Sequence, residues 1–181
     1  MLSGHVFIAT SLDGYIAKSD GDIEWLLQRD DPQEDHGYLA FIKNIDGIVM
    51  GRNTFEKSLS FGAWPYELPV VVLSRTLQAS SLREDLKQKV QISSLSPQDL
   101  MPLLSAKGWR RAYIDGGQVI QSFLRAGLID DMTITTVPVL LGEGKPLFAH
   151  LDREIDLKHT HSHFFPSGLV QSHYQIRRTT L

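Results

Sequence analysis

Cysteine is absent from the 181 residues. That absence removes disulfides, thiolate metal ligands and cysteine nucleophiles together. It suits a reducing compartment, so a cytoplasmic location is expected. No apolar run approaches bilayer-spanning length, and no basic segment followed by an apolar one stands near the start, so no membrane partner is expected. Charge of one sign is scarce. A formal net charge of −3 gives no general attraction to nucleic acid or an anionic surface. No G-x-G-x-x-G follows the first strand-like segment, which argues against an ordinary Rossmann dinucleotide site. No G-x-S-x-G elbow supports a hydrolase triad. Gly142-Glu-Gly-Lys145 has part of a phosphate loop's spacing. It lacks the first glycine and carries Pro146 where Ser or Thr would meet magnesium, so it reads as a turn.

What is present is ordinary for a globular protein: 42% apolar and 22% charged residues. The length suits one domain over 1–181, able to bury roughly 70% of the surface of its unfolded chain. Short β-branched runs predict strands over 5–10, 47–50, 69–74, 90–93, 111–115 and 132–140. Helical spacing predicts helices over 35–44, with Tyr38, Leu39, Phe41 and Ile42 on one side, and over 82–89 and 117–126. Ser96 at the N-cap, Pro97 after it and Asp99 in the first turn predict a helix running to about 107. Residues 18–32 read as an Asp-rich loop interrupted by Trp25, Leu26 and Leu27. Segments 155–165 and 169–178 read as a hairpin about Phe165-Pro-Ser-Gly168. Strands alternating with helices predict an α/β fold: a mostly parallel sheet covered on both faces, with the hairpin adding antiparallel edge strands.

Ligands of such sheets gather beyond the carboxyl ends of the strands. Four ends carry suitable residues. Gly51 permits a tight turn into a helix whose free amides, with Arg52 and Thr54, suit an anion. Asp115-Gly-Gly-Gln118 runs into the next helix, and the amides of Gly116, Gly117 and Gln118 suit a pyrophosphate. Ser74, Arg75 and Thr76 suit a further phosphate such as a ribose 2′-phosphate. Residues 11–15 form the fourth end. Each of these alone is equally well a turn. His159, His161 and His163 share a strand face. A solvated hairpin surface is the favoured reading there, and no metal is expected.

Ser11-Leu-Asp-Gly-Tyr-Ile-Ala17, Gly51-Arg-Asn-Thr-Phe55, Val72-Leu-Ser-Arg75, Ile114-Asp-Gly-Gly117 and Leu128-Ile-Asp-Asp131 through Pro138-Val-Leu-Leu-Gly-Glu-Gly-Lys-Pro-Leu-Phe148 occur in that order. In this the chain resembles the dihydrofolate reductase superfamily, most closely the stand-alone relatives of the reductase domain of riboflavin-biosynthesis enzymes. The resemblance runs from Val6 to Tyr174. It implies a three-layer sandwich on an eight-stranded mixed sheet, with NADPH as cofactor. It puts Gly51, Arg52, Asn53 and Thr54 near the cofactor phosphates and Ser74 and Arg75 at the 2′-phosphate. Asp115 and Gly116, Gly117, Gln118, Val119 and Ile120 fall on the pyrophosphate loop, and Ala9, Thr10 and Ile16 flank the nicotinamide. Leu12, Asp13 and Gly14 belong to the loop closing over the reaction centre. Asp35 stands where that superfamily carries its acid.

The expected catalytic residues are therefore Asp35 and Asp13. Burial in an apolar cleft would raise the pKa of Asp35, while the same position equally suits a helix cap. The implied reaction reduces a heterocyclic substrate, in the riboflavin relatives a ribosylaminopyrimidine phosphate. Asp20, Asp22 and Glu24 are unwelcoming to a phosphate, with Arg29 a possible compensation. Leu12, Trp25, Leu39, Phe55 and Trp64 offer apolar surface for a flat ring. A dihydrofolate or pterin reductase, or a non-catalytic nucleotide- or pterin-binding module, are the alternatives. The apolar segment 137–141 and the hairpin edge, like the relatives, imply a homodimer.

Overall fold

The computed structural model describes residues 2–29 and 31–177. The chain runs β1 (Ser3–Ser11), β2 (Tyr15–Ala17), α1 (Glu24–Leu27), α2 (Tyr38–Ile42), β3 (Gly47–Gly51), α3 (Arg52–Leu59), β4 (Val70–Leu73) and β5 (Val90–Ser93). It continues α4 (Pro97–Ala106), β6 (Arg111–Asp115), α5 (Gly117–Arg125), β7 (Asp131–Val137), β8 (Lys145–Pro146), β9 (Leu157–Phe164) and β10 (Val170–Ile176). Eight strands form one sheet in the order β5-β4-β3-β6-β1-β7-β10-β9, and β2 pairs with β8 separately. The first six strands of that order are parallel. The terminal hairpin joins antiparallel through β10. The expected mixed sheet is what forms.

Alternation along the strands builds the three layers. Val6, Val49, Val71, Ile114 and Met132 point to one face, where Leu100 and Leu104 of α4 and Ile120 and Phe123 of α5 cover them. Ile48, Met50, Val70, Val72 and Tyr113 point to the other, with Phe55 of α3 and, from α2, Tyr38, Phe41 and Ile42. Ser96 caps α4 as its sequence predicts, accepting from the Asp99 amide at 3.2 Å.

Several boundaries differ from expectation, each for a local reason. The predicted helix over 35–44 shortens to Tyr38–Ile42 because Gly37 takes φ +80 just before it. Upstream, Glu34 is held by the Ser167 amide at 2.8 Å, and the His36 carbonyl accepts from Gln171. Leu39 is 69% exposed and leaves the shared apolar side. The predicted helix over 82–89 is replaced by two 3₁₀ turns, Ala79–Ser81 and Glu84–Leu86. The strand predicted over 132–140 stops at Val137. The loop over 18–32 contains α1, which drives Trp25 into a small cluster with Val137 and Leu169. Position 178 of the predicted hairpin lies outside the described residues.

Gly47 opens β3 with the indole of Trp109 pressed against its Cα, where any Cβ would enter the ring. Gly47→Ala is expected to destabilise the fold by about 1–3 kcal/mol, the usual cost of overpacking. An unchanged melting temperature would show that Trp109 can move aside freely.

Candidate active site

Strands β3 and β6 are neighbours, yet the chain leaves them towards opposite faces: α3 packs with the Phe55 cluster and α5 with the Phe123 cluster. A crevice opens at such a split beyond the strand ends. Gly51 and Gly116 form its lips. Gly116 has φ +90, and a Cβ there would collide with Thr54 Oγ1. A Cβ on Gly51 would stand 3.1 Å from Val119 Cγ2. Neither α3 nor α5 has a side chain capping its first turn, in contrast to α4. Two helix N-termini thus present unclaimed amides, and their positive dipole ends, to one place.

The cleft measures about 1150 Å³. Ala9, Ile16, Gly51, Arg52, Asn53 and Thr54 line it, as do Asp115, Gly116, Gly117, Gln118 and Val119. These eleven expected cofactor residues meet in one place although they come from four separate segments. Thr10 and Ile120 are buried beside them, at 5% and 0% exposure, and do not reach the cleft wall. Ser74 and Arg75 stand just outside. The Ser74 hydroxyl accepts from the amides of Thr76 and Leu77. Arg52 joins this turn to α3, donating to Thr76 at 3.0 Å and to Glu56 at 2.6 Å.

Asp115 ends β6 at the floor of the cleft. Its exposed area is intermediate, but protein closes over it on most sides, and burial pushes its pKa up to about 6. The Gly116 amide, donating at 2.8 Å, restrains that rise. Phe7, Tyr66 and Tyr113 surround the carboxyl side of the cleft. Burial and the Asp115 charge hold the Tyr66 hydroxyl up at about 12, so it remains a neutral donor. Tyr113 gives its proton to the Phe7 carbonyl at 2.8 Å. The sequence motifs point to Asp115 beside a cofactor but do not reveal its raised pKa, nor do they single out Phe7, Tyr66 and Tyr113. Alternation along β1 and β6 was the available signal for two of these, but it reveals the face and not the neighbouring loop.

The two expected catalytic acids lie outside the cleft lining. Asp35 is exposed, away from the cleft lining, and accepts from the Gly37 amide at 2.8 Å within a turn. It is neither buried nor the cap of α2, because Gly37 holds that position. Asp13 is exposed and its carboxylate is engaged by Ser11 and by the amides of Leu141 and Gly142. Those bonds, the Ser11 hydroxyl foremost, hold its pKa below the usual range. Of the expected substrate contacts, Trp25 and Phe55 are core residues at 5% and 3% exposure, because each fills an apolar cluster. Trp64 packs edge-on between Phe55 and Tyr66. Leu12 and Leu39 point outward at 65% and 69% exposure. Arg29 is tied to the Trp25 carbonyl at 2.7 Å. On the hairpin, His161 stacks on His173, His159 leans on Tyr174 and His163 on Phe165. Among the described residues no group of three or more potential ligands converges for a metal.

The family model for the RibD C-terminal domain matches residues 4–171. The chain belongs to that family. It is 31% identical over 173 residues to the uncharacterized protein YwjB of Bacillus subtilis (strain 168), covering 93% of this chain and 95% of the relative. A solved structure of a Shewanella sp. PV-4 protein ascribed to riboflavin biosynthesis is 42% identical, with a TM-score of 0.91 over 98% of this chain and all of that one. The Thermotoga maritima diaminohydroxyphosphoribosylaminopyrimidine deaminase/5-amino-6-(5-phosphoribosylamino)uracil reductase shares the fold at a TM-score of 0.75 and 14% identity. This chain spans 57% of it. The fold is thus that of riboflavin-pathway reductases, as the sequence motifs imply.

Because the folded state raises the Asp115 pKa, it binds that proton more tightly than the unfolded chain does. The favourable protonated form is lost as pH rises from about 4, the unfolded value, through about 6. Asp115 then opposes folding above that window by about 2–3 kcal/mol. Denaturant melts should show Asp115→Asn gaining stability over the wild type as pH rises across the window. A constant difference between the two proteins at every pH would contradict the buried, titrating carboxyl.

Proposed function

We propose that the chain is an NADPH-dependent oxidoreductase acting, as a single domain over 1–181, on a flat heterocyclic substrate. The observation that carries this reading is the convergence of two uncapped helix N-termini on a cleft floored by an acid near pKa 6. The amides opening α3 and α5 suit the pyrophosphate, with Gly51, Gly116 and Gly117 leaving room for close approach. Arg52, Ser74 and Arg75 would hold the 2′-phosphate. Ala9 and Ile16 would flank the nicotinamide. Bound there, NADPH supplies a hydride; the chain's own residues orient the acceptor and manage its proton. Asp115, half-protonated near pH 6, would deliver a proton to the nitrogen or oxygen of the reduced bond while the hydride goes to its carbon, and Phe7, Tyr66 and Tyr113 would exclude water and stack the ring. Family membership favours a substrate of the ribosylaminopyrimidine phosphate type. A pterin or dihydrofolate substrate is favoured instead by Asp20 and Asp22, which line the cleft and would repel a second phosphate. No helix among the described residues is long and apolar enough to cross a membrane, and we place the protein in the cytoplasm.

Titration with NADPH should quench protein fluorescence and enhance that of the nicotinamide. Asp115→Asn should keep this binding and lose reductase turnover by roughly 10²–10⁴-fold, the usual weight of a positioned acid. The wild-type rate should fall as pH rises through about 6. A wild type that binds no NADPH at all would end this reading. Binding without turnover of any pterin, pyrimidine or carbonyl compound would favour the non-catalytic module.

We also propose a two-fold homodimer. All eight residues of β9 are exposed, its outer edge is unpaired among the described residues, and Phe164 is 73% exposed. An open edge with apolar side chains is a pairing surface. Light scattering at micromolar concentration should give twice the chain mass; the mass of one chain would contradict it.

A further inference from the structure

One carboxylate joins the two loops that form a wall of the cleft. Asp13 Oδ1 accepts from the Ser11 hydroxyl at 2.6 Å and from the Leu141 amide at 3.1 Å, while Oδ2 accepts from the Gly142 amide at 2.8 Å. Ser11 is 1% exposed, and its oxygen in turn accepts from the Tyr15 amide at 2.9 Å. The same two loops are stitched on either side of Asp13: Leu12 donates to the Val139 carbonyl and Leu147 to that of Gly14. Beyond them β2 and β8 pair, Tyr15 opposite Pro146. The unit is seated on the first turns of α5. Ile16 Cδ1 stands 3.0 Å and the Pro146 carbonyl 3.1 Å from where a Gly117 Cβ would be. Gln121 donates to the Pro146 and Leu147 carbonyls at 3.1 Å each. Ile16, Ala17, Lys145 and Pro146 face the cleft, whereas Asp13 does not.

We propose that Asp13 is a positioning residue: its carboxylate ties the β1–β2 turn to the β7–β8 loop and so sets the wall against which the nicotinamide end of the cofactor packs. It touches neither cofactor nor substrate. Two backbone N–H groups aimed at opposite oxygens of one side chain require a carboxylate, since an amide offers only one acceptor and turns its NH₂ towards the other donor. This inference rests on the NADPH reading and adds a residue to it.

The test compares wild type, Asp13→Asn and Ser11→Ala in binding NADPH and 2′,5′-ADP, a fragment that ends before the nicotinamide, beside thermal melts and amide exchange. Asp13→Asn is expected to weaken NADPH about tenfold, the order expected for losing one charge-assisted hydrogen bond. Binding of 2′,5′-ADP should not change, and the Leu141 and Gly142 amides should exchange faster. Ser11→Ala, which removes one donor to Asp13 and the acceptor of the Tyr15 amide but leaves the Leu141 and Gly142 contacts to the carboxylate, should shift NADPH in the same direction. Equal weakening of NADPH and 2′,5′-ADP would mean a general loss of structure and overturn the inference, as would unchanged NADPH affinity. A wild type that binds 2′,5′-ADP but not NADPH would sink the cofactor reading itself, a result distinct from either.

Discussion

The functional end of this molecule depends on the space between Gly51 and Gly116. Two neighbouring parallel strands send their helices to opposite faces, and this brings the first turns of α3 and α5 within touching distance. Thr54 Oγ1 fills the volume a side chain on Gly116 would need, and the φ of +90 there suits glycine alone among ordinary residues. A methyl group at that lip would push the helices apart or twist β6. The anion-receptive character of the cleft is thus a consequence of backbone proximity more than of any cation.

The same crowding explains the carboxyl chemistry. Asp115 ends a strand whose middle residues are buried and precedes the glycine lip, so protein closes over most of its carboxyl. Its acidity therefore moves up. Asp13, Asp22 and Glu34 move down, each chiefly through a hydrogen bond: from the Ser11 hydroxyl, the Glu24 amide and the Ser167 hydroxyl respectively. Those three acids hold loops together and stay ionised at neutral pH. Only Asp115 among them is poised to take up and release a proton near physiological pH.

What could be read in the sequence follows the range of the interactions involved. Residues 90–93 and 111–115 are strands as expected, because β-branched runs between turns specify themselves locally. The Ser96 cap and the Gly51 and Gly116 turns are local in the same way. Asp35 lies at the surface because its neighbourhood is fixed by contacts far along the chain, Glu34 to Ser167 and Gln171 to His36. Trp25 and Phe55 look like ligand-stacking aromatics in the sequence and are core in the fold. Tyr66 has the opposite character: it sits in an irregular segment with no periodicity, and only tertiary packing beside Trp64 and Ser58 turns it towards Asp115. A sequence discloses that aromatic surface exists, and the fold decides which of it is left for a ligand.

Charge divides the cleft lengthwise. At the glycine lips the fixed positive ends of two helices act over a few ångströms, within the Debye length of about 8 Å at physiological salt. At the mouth the loop after β2 contributes Asp20 and Asp22, with Lys57 and Lys145 across from them. Lys18 is paired with Asp22 at 3.0 Å, and Lys57 feels the same carboxylate. The cations there are largely offset before a ligand arrives. A phosphate therefore gains most at the lips and little at the mouth. A neutral ring gains instead from the Phe7, Tyr66 and Tyr113 surfaces, where burying apolar area is favourable. The lips and the aromatic surface thus favour different ligand groups, and this sorting follows from where the helices begin and where Phe7, Tyr66 and Tyr113 lie.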